Sequence, residues 1–177
     1  CHDLGHGPFS HAFDKFLINS SIDHPNVHHE NRSSMILIYT VKKYNIDLSE
    51  SVVNDIIDLI KPSGKNKTNK KFLYHIIANP DNGIDVDKFD YLKRDTYNIG
   101  LPYSIDLERL IESARVIDNQ ICYPEKMIFS ISGIYETRGR LHKEIYNHPV
   151  VLGIELMIND MFLSMDVDWI SKISIPR

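Results

Sequence analysis

The chain has 177 residues, 42% of them hydrophobic, a formal net charge of -4 and a pI near 6.1. That length fits one domain (residues 1–177) with a real core, and the acidic balance argues against a generic double-stranded nucleic-acid binder. Two cysteines, Cys1 and Cys122, are too few for a thiol metal motif or a disulfide framework, so a reducing, intracellular compartment is expected, cytoplasmic or nuclear. No stretch reaches the roughly 18 apolar residues of a membrane span. The N-x-S/T triplets at Asn19, Asn31 and Asn66 have no other sign of secretion beside them. The first residue is not Met and the last are Ile-Pro-Arg after a fresh run, DWISKISI. Both ends read as cut, so a segment of a larger chain is expected.

In chain order, PFSHAFDKFLI (8–18) reads as a helix. Pro8 suits its first position, and Phe9, Ala12, Phe13 and Phe16 form an apolar stripe. After turn-like NSSIDHPN, residues 30–45 read as helical. Asp47 or Ser49 caps a third helix whose apolar face is Val52, Val53, Ile56, Ile57 and Ile60. KPSGKNKTNKK (61–71) is polar and lysine-rich, a solvated loop or a weak nucleic-acid contact. FLYHIIAN follows as a short helix, and 84–97 as a longer one ending near Gly100 and Pro102. Another helix is expected from Asp106 to Val116, capped by Ser104 or Asp106. NQICYP and KMIFSIS alternate as two short strands, a possible hairpin near 120–131. Tyr135 to Tyr146 reads as one helix, and VVLGIELMINDMFLSM, beyond Pro149, is apolar enough to be buried. The expectation is an all-α chain with one small β-hairpin.

The chemistry concentrates in CHDLGHGPFSHAFD (1–14). Imidazole and carboxylate donors at His2 and Asp3 suit Mn, Fe, Ni, Zn or similar divalent ions, with partners from elsewhere. His6 lies four residues beyond His2. His11 and Asp14, three apart, have the spacing for a carboxylate that fixes an imidazole tautomer. His28 and His29 precede Glu30 as a second His–carboxylate group. Such crowding also fits surface histidines, and an isolated His-Asp pair has little specificity; His24, in the turn DHP, reads as incidental.

Two helical stripes agree with this block. Asp87, Tyr91 and Asp95 are spaced four apart, with Lys88 beside them. They could supply a metal ligand, a phosphate contact and two sugar contacts, or simply a salt-bridged outer face, which Asp90 and Arg94 fit well. Arg138, His142 and Tyr146 repeat the spacing as a row of donors suited to phosphate oxygens, with Arg140 and Lys143 flanking; a polar outer face is the alternative. Together the three elements suit metal-assisted hydrolysis of a phosphoester or phosphoanhydride, with no organic cofactor.

HDLGHGPFSHAFD, HHE at 28–30 and NGIDVDKFDYLKRD at 82–95 closely resemble the HD-domain phosphohydrolase superfamily. Within it the match is to the sterile-alpha-motif and HD-domain deoxynucleoside triphosphate triphosphohydrolases and their relatives. The resemblance runs over about residues 1–163 and is weakest at 45–70. It implies a helical HD core and a divalent metal (Mn, Fe, Zn, Ni or Mg) held by His2, Asp3 and Asp87. A further histidine lies upstream in the family, outside these residues, so this segment alone is expected to be inactive. It implies that His6, His11, Asp14 and His29 form the catalytic cluster, with His11 the proton donor to the sugar 5′ oxygen and Asp14 orienting the site. Lys88 and Arg138 match triphosphate contacts, Tyr91 the residue packing on the deoxyribose, and Asp95 the partner of the 3′ hydroxyl. His142 and Tyr146 match residues near the sugar and base.

The implied reaction converts a dNTP to the deoxynucleoside and intact triphosphate. The resemblance implies a homo-oligomer, dimer or tetramer, when full length, with a possible GTP or dGTP activator between subunits as in the mammalian-type enzyme. Arg109 and Arg115 match arginines near that region, but Tyr123-Pro124 stands where a basic residue is usual, which leaves the activation open. The alternatives are another HD-type phosphohydrolase acting on nucleoside monophosphates, cyclic nucleotides or nucleic-acid ends, and a non-catalytic nucleic-acid-binding scaffold, for which the 61–71 loop is the support.

Overall fold

The computed structural model describes residues 2–20, 25–62, 71–103 and 105–165. The expected lysine-rich loop falls mostly outside them, as do His24 and Ser104. Among these residues the fold is predominantly helical with one antiparallel hairpin, consistent with an HD-domain fold. The chain divides into two compact units, Cys1–Asn66 with Pro149–Arg177, and Lys67–His148.

In the first unit, α1 spans His11–Asn19. It starts three residues later than Pro8, because Phe9 (φ 62°) and Ser10 (φ 51°) take the left-handed region and stop the helix from extending backwards. Phe9 is therefore exposed, while Ala12, Phe13, Phe16 and Leu17 are buried along one helical face. Phe13 and Phe16 meet Phe162 of α8 (Pro149–Leu163) at ring-centroid distances of 5.4 and 5.1 Å. α2 spans His29–Lys43 and α3 Glu50–Ile60. Of the two candidate caps, Ser49 acts: its Oγ accepts from Val52 N at 3.3 Å. Leu37 packs with Val53 and Ile60, while Val52 faces outward.

α8 corrects the expectation of burial. Among its described residues Phe162 is buried, but Leu156 is 67% and Met157 71% exposed. A helix apolar all round needs partners all round; within its own unit α8 packs on α1. No helix among the described residues is long and apolar enough to cross a membrane.

In the second unit, α4 (Phe72–Ile77), α5 (Val86–Asn98) and α6 (Leu107–Ser113) precede the hairpin of β1 (Arg115–Ile117) and β2 (Gln120–Cys122). The strands pair with Arg115 opposite Cys122 and Ile117 opposite Gln120. Asp118 and Asn119 both have positive φ, which is the two-residue turn that matches strand twist. The hairpin thus lies earlier than 120–131, and takes residues expected in the preceding helix. KMIFSIS is instead a 3-10 turn (Glu125–Met127) and the start of α7 (Ile128–Leu141). The chain then widens into a π turn over His142–Tyr146, with Asn147 N donating to His142 O at 3.0 Å, five residues back. Ile84, Phe89, Leu92, Leu107, Leu110, Met127, Ile134 and Leu141 form the core of this unit. α5 points its apolar face there, so its charged stripe is left outside the core.

Candidate active site

The first unit assembles its histidines around a tight loop. Gly5 lies against α2 so closely that a Cβ there would come within 2.1 Å of His29 O and 2.4 Å of Ser33 N. Ser33, fully buried, accepts from Gly5 N at 2.8 Å and donates to His2 O. These contacts fix the backbone that carries His2, Asp3 and His6. Asp3 Oδ1 then lies 3.3 Å from both His2 Nε2 and His6 Nε2. Metal–donor bonds of about 2.1 Å put neighbouring ligand atoms roughly 3.0–3.4 Å apart, so this imidazole–carboxylate set fits a divalent cation in both chemistry and spacing.

His6 also belongs to a second group, in which His6, His11, Asp14 and His29 bring their donor atoms within 4.8 Å of one another. His6 stacks on His29 at 4.0 Å and meets the edge of His11 at 4.8 Å. Among the described residues His6 Nδ1 is buried without a hydrogen-bond partner. Burial, and then the neighbouring His29 and His11, lower the His6 pKa and favour the neutral ring. His11 is exposed.

The spacing of His11 and Asp14 suggested a pair, and the geometry corrects that. Asp14 instead receives His29 Nδ1 at 2.6 Å and His29 N at 3.3 Å on one carboxylate oxygen, and the Arg32 guanidinium on the other. The i, i+3 pattern looks along one helix, whereas the true partner comes from α2. Burial pushes the Asp14 carboxyl up, but hydrogen bonds from Arg32 and His29 outweigh it and hold it below the usual carboxylate range. Glu30 lies 3.8 Å from His29 Nε2, a looser contact. Arg32 and Ser33 were not singled out from sequence. The available signal was Arg32 three residues beyond His29, on the same helix face.

In the second unit, a turn held by one asparagine delivers α5. Asn79 Oδ1 accepts from Asp81 N at 3.1 Å, and its Nδ2 donates to Asn82 Oδ1 (2.6 Å) and Ile84 O (3.2 Å). Asp85 caps α5 by accepting from Lys88 N at 2.9 Å. Along α5, Asp87, Lys88, Tyr91 and Asp95 are all partly buried, and Asp90 and Arg94 form the exposed ion pair expected of them. Tyr146 donates to Asp95 Oδ2 at 2.5 Å. Burial, then that carboxylate, raise the Tyr146 pKa and keep the phenol protonated. Tyr146 also meets the edges of Tyr91 (6.5 Å) and His142 (5.1 Å). Burial, then the charges of Arg138 and Lys88, lower the His142 pKa. Burial raises the Tyr91 pKa against the pull of Arg138. α5, α7 and the π turn thus collect Lys88, Tyr91, Asp95, Arg138, His142 and Tyr146 into one cationic and phenolic group.

Arg109 and Arg115 do not join that group. Arg109 lies in the first turn of α6, where its backbone N donates to the Asp106 cap at 3.0 Å. Arg115, on β1, donates to Glu112 O and Ala114 O. Both are exposed.

No family model matches the chain. It is 42% identical over 168 residues to the deoxynucleoside triphosphate triphosphohydrolase SAMHD1 homolog of Dictyostelium discoideum, covering 94% of this chain and 32% of that protein. It is 41% identical over 169 residues to the HD domain-containing protein L394 of Acanthamoeba polyphaga mimivirus, covering 94% and 36%. The human deoxynucleoside triphosphate triphosphohydrolase SAMHD1 is 35% identical over 190 residues, covering 94% and 30%. The chain therefore spans about a third of the length of these curated relatives. It belongs to the HD-domain phosphohydrolase superfamily. Within that superfamily it is related, at moderate identity over most of its length, to SAMHD1-type deoxynucleoside triphosphate triphosphohydrolases.

Proposed function

We propose that this chain carries catalytic residues of a metal-dependent triphosphohydrolase that converts dNTPs to deoxynucleosides and inorganic triphosphate. The observation that carries the reading is Asp3 Oδ1 at 3.3 Å from two imidazole nitrogens, one of them on His6 of the His6–His11–Asp14–His29 cluster. His2 and Asp3 would hold a divalent cation, with Asp87 the further carboxylate ligand that the resemblance assigns. A cation held there would supply Lewis-acid activation of a phosphoryl oxygen and of water.

The chain's own groups do the rest. His11, exposed and edge-on to His6, gives its proton to the departing 5′ oxygen. Asp14 orients His29 through Nδ1. Lys88 and Arg138 neutralise the triphosphate as charge shifts along it. Tyr91 packs on the deoxyribose, Asp95 accepts from the 3′ hydroxyl, and His142 and Tyr146 border the sugar and base. The Tyr146–Asp95 hydrogen bond supports this last role, because it fixes the carboxylate before a sugar arrives. Arg109 and Arg115 are exposed cations open to a GTP or dGTP activator, in a homo-oligomer.

Product analysis on the full-length protein with dGTP and a divalent metal tests the reaction. Free deoxyguanosine and tripolyphosphate are expected. Release of phosphate or pyrophosphate would overturn the reading in favour of another HD-type phosphohydrolase. The sugar role has its own test. Tyr91→Ala opens the space beside the 2′ carbon, so discrimination against GTP, measured as the kcat/KM ratio, is expected to fall about tenfold or more. An unchanged ratio moves that role elsewhere.

A further inference from the structure

The most committed side chain in the first unit is one to which nothing above assigns a role. Arg32 is 3% exposed. Its Nε donates to Gly5 O at 2.7 Å, and one terminal nitrogen to Asn26 O (2.7 Å) and Val27 O (3.0 Å). The other terminal nitrogen binds Asp14 Oδ1, and the guanidinium carbon lies 5.5 Å over the Phe13 ring. A buried guanidinium needs a counter-charge and full hydrogen bonding, and here one carboxylate and three carbonyls supply them. The geometry couples two things. The Gly5 carbonyl belongs to the loop bearing His2, Asp3 and His6. The Asp14 carboxylate has its other oxygen on His29 Nδ1.

We infer that Arg32 is a positioning residue, which fixes Asp14 so that His29 carries its proton on Nδ1, and which ties that dyad to the Gly5 loop. Arginine has no acceptor and does not lose its proton, so an Asp14 oxygen facing it is a pure acceptor. The second oxygen already takes His29 N. An ionised carboxylate between those donors can only accept from the ring, so the proton on His29 sits at Nδ1. A lysine at 32 could meet the carboxylate but could not span the carboxylate, Gly5 O, Asn26 O and Val27 O in one plane.

This rests on the proposed function for its kinetic arm alone; the tautomer is a property of the protein without substrate. In full-length protein labelled with 15N-histidine, correlation spectra at a pH above the imidazole range are expected to show His29 as Nδ1–H. Arg32→Met should shift it toward Nε2–H and lower kcat on dGTP about 10- to 100-fold, the range for loss of such outer contacts, with KM little changed. Arg32→Lys should restore part of both. An Nε2–H ring in the wild-type protein overturns the inference, whether or not Arg32→Met folds. So does a folded Arg32→Met protein with the wild-type tautomer. If wild-type protein spares dGTP, the substrate reading falls while the tautomer still decides the role of Arg32.

Discussion

Asp3→Ala in the full-length protein is expected to lose its bound divalent metal and about 10³-fold or more of its hydrolysis together. Asp3 Oδ1 is the point that His2 Nε2 and His6 Nε2 both approach, each at 3.3 Å. Without it, the carboxylate that both imidazoles approach is gone, and the proposed ligands that remain, His2 and Asp87, have one anion fewer to hold a hard cation. Metal activation of water and of the phosphoryl group is worth several kcal/mol, and each 1.4 kcal/mol is a factor of about ten in rate. Elemental analysis of the purified protein beside its turnover on dGTP checks this. Full metal occupancy in the variant would remove Asp3 from the ligand set. Lost activity with retained metal would assign it a different role.

The second large effect concerns stability. Asp14→Asn keeps the side-chain volume but leaves the Arg32 charge buried without its anion, a type of change that costs about 3–5 kcal/mol. It also carries a pH signature. The folded Asp14 carboxyl titrates below its ordinary value, since the hydrogen bonds from Arg32 and His29 outweigh its burial. Its stabilisation is therefore complete above the unfolded value, about pH 3.9, and is lost as pH falls through the lower folded value. Denaturant midpoints at pH 7 should separate wild type from Asp14→Asn clearly. That gap should shrink only below about pH 4. A gap that stays constant into strong acid would show that the ion pair is not what Asp14 contributes.

How much of this could be read from the sequence depended on where partners come from. α5 was legible because Phe89 and Leu92 share one face and Asp87, Tyr91 and Asp95 another, so the helix sorts its own residues. The density of histidines in residues 2–14 pointed to the first cluster for the same local reason. What was misread involved partners remote in sequence. Asp14 answers to His29 and Arg32, 15 and 18 residues away, and a lone arginine in a helix looks like a surface residue. The hairpin was misplaced because Asp118-Asn119 lacks the glycine that usually announces such a turn. Its first strand follows directly on α6, with no break in hydrophobic content. α8 was expected inside because its composition is apolar, but composition states a need for cover and does not supply it.

The wide turn at His142–Tyr146 has a consequence for how this protein could vary. Closing that turn into ordinary α-helix at constant chain length would give better backbone geometry. It would also swing everything after the turn by about 100° around the axis. Tyr146 would leave Asp95, and the phenol would no longer meet the ring of Tyr91. In this stretch the wide turn acts as a rotational gear that absorbs one residue, so the alignment of Tyr146 with Asp95 survives only if the turn stays open or loses one residue as it closes.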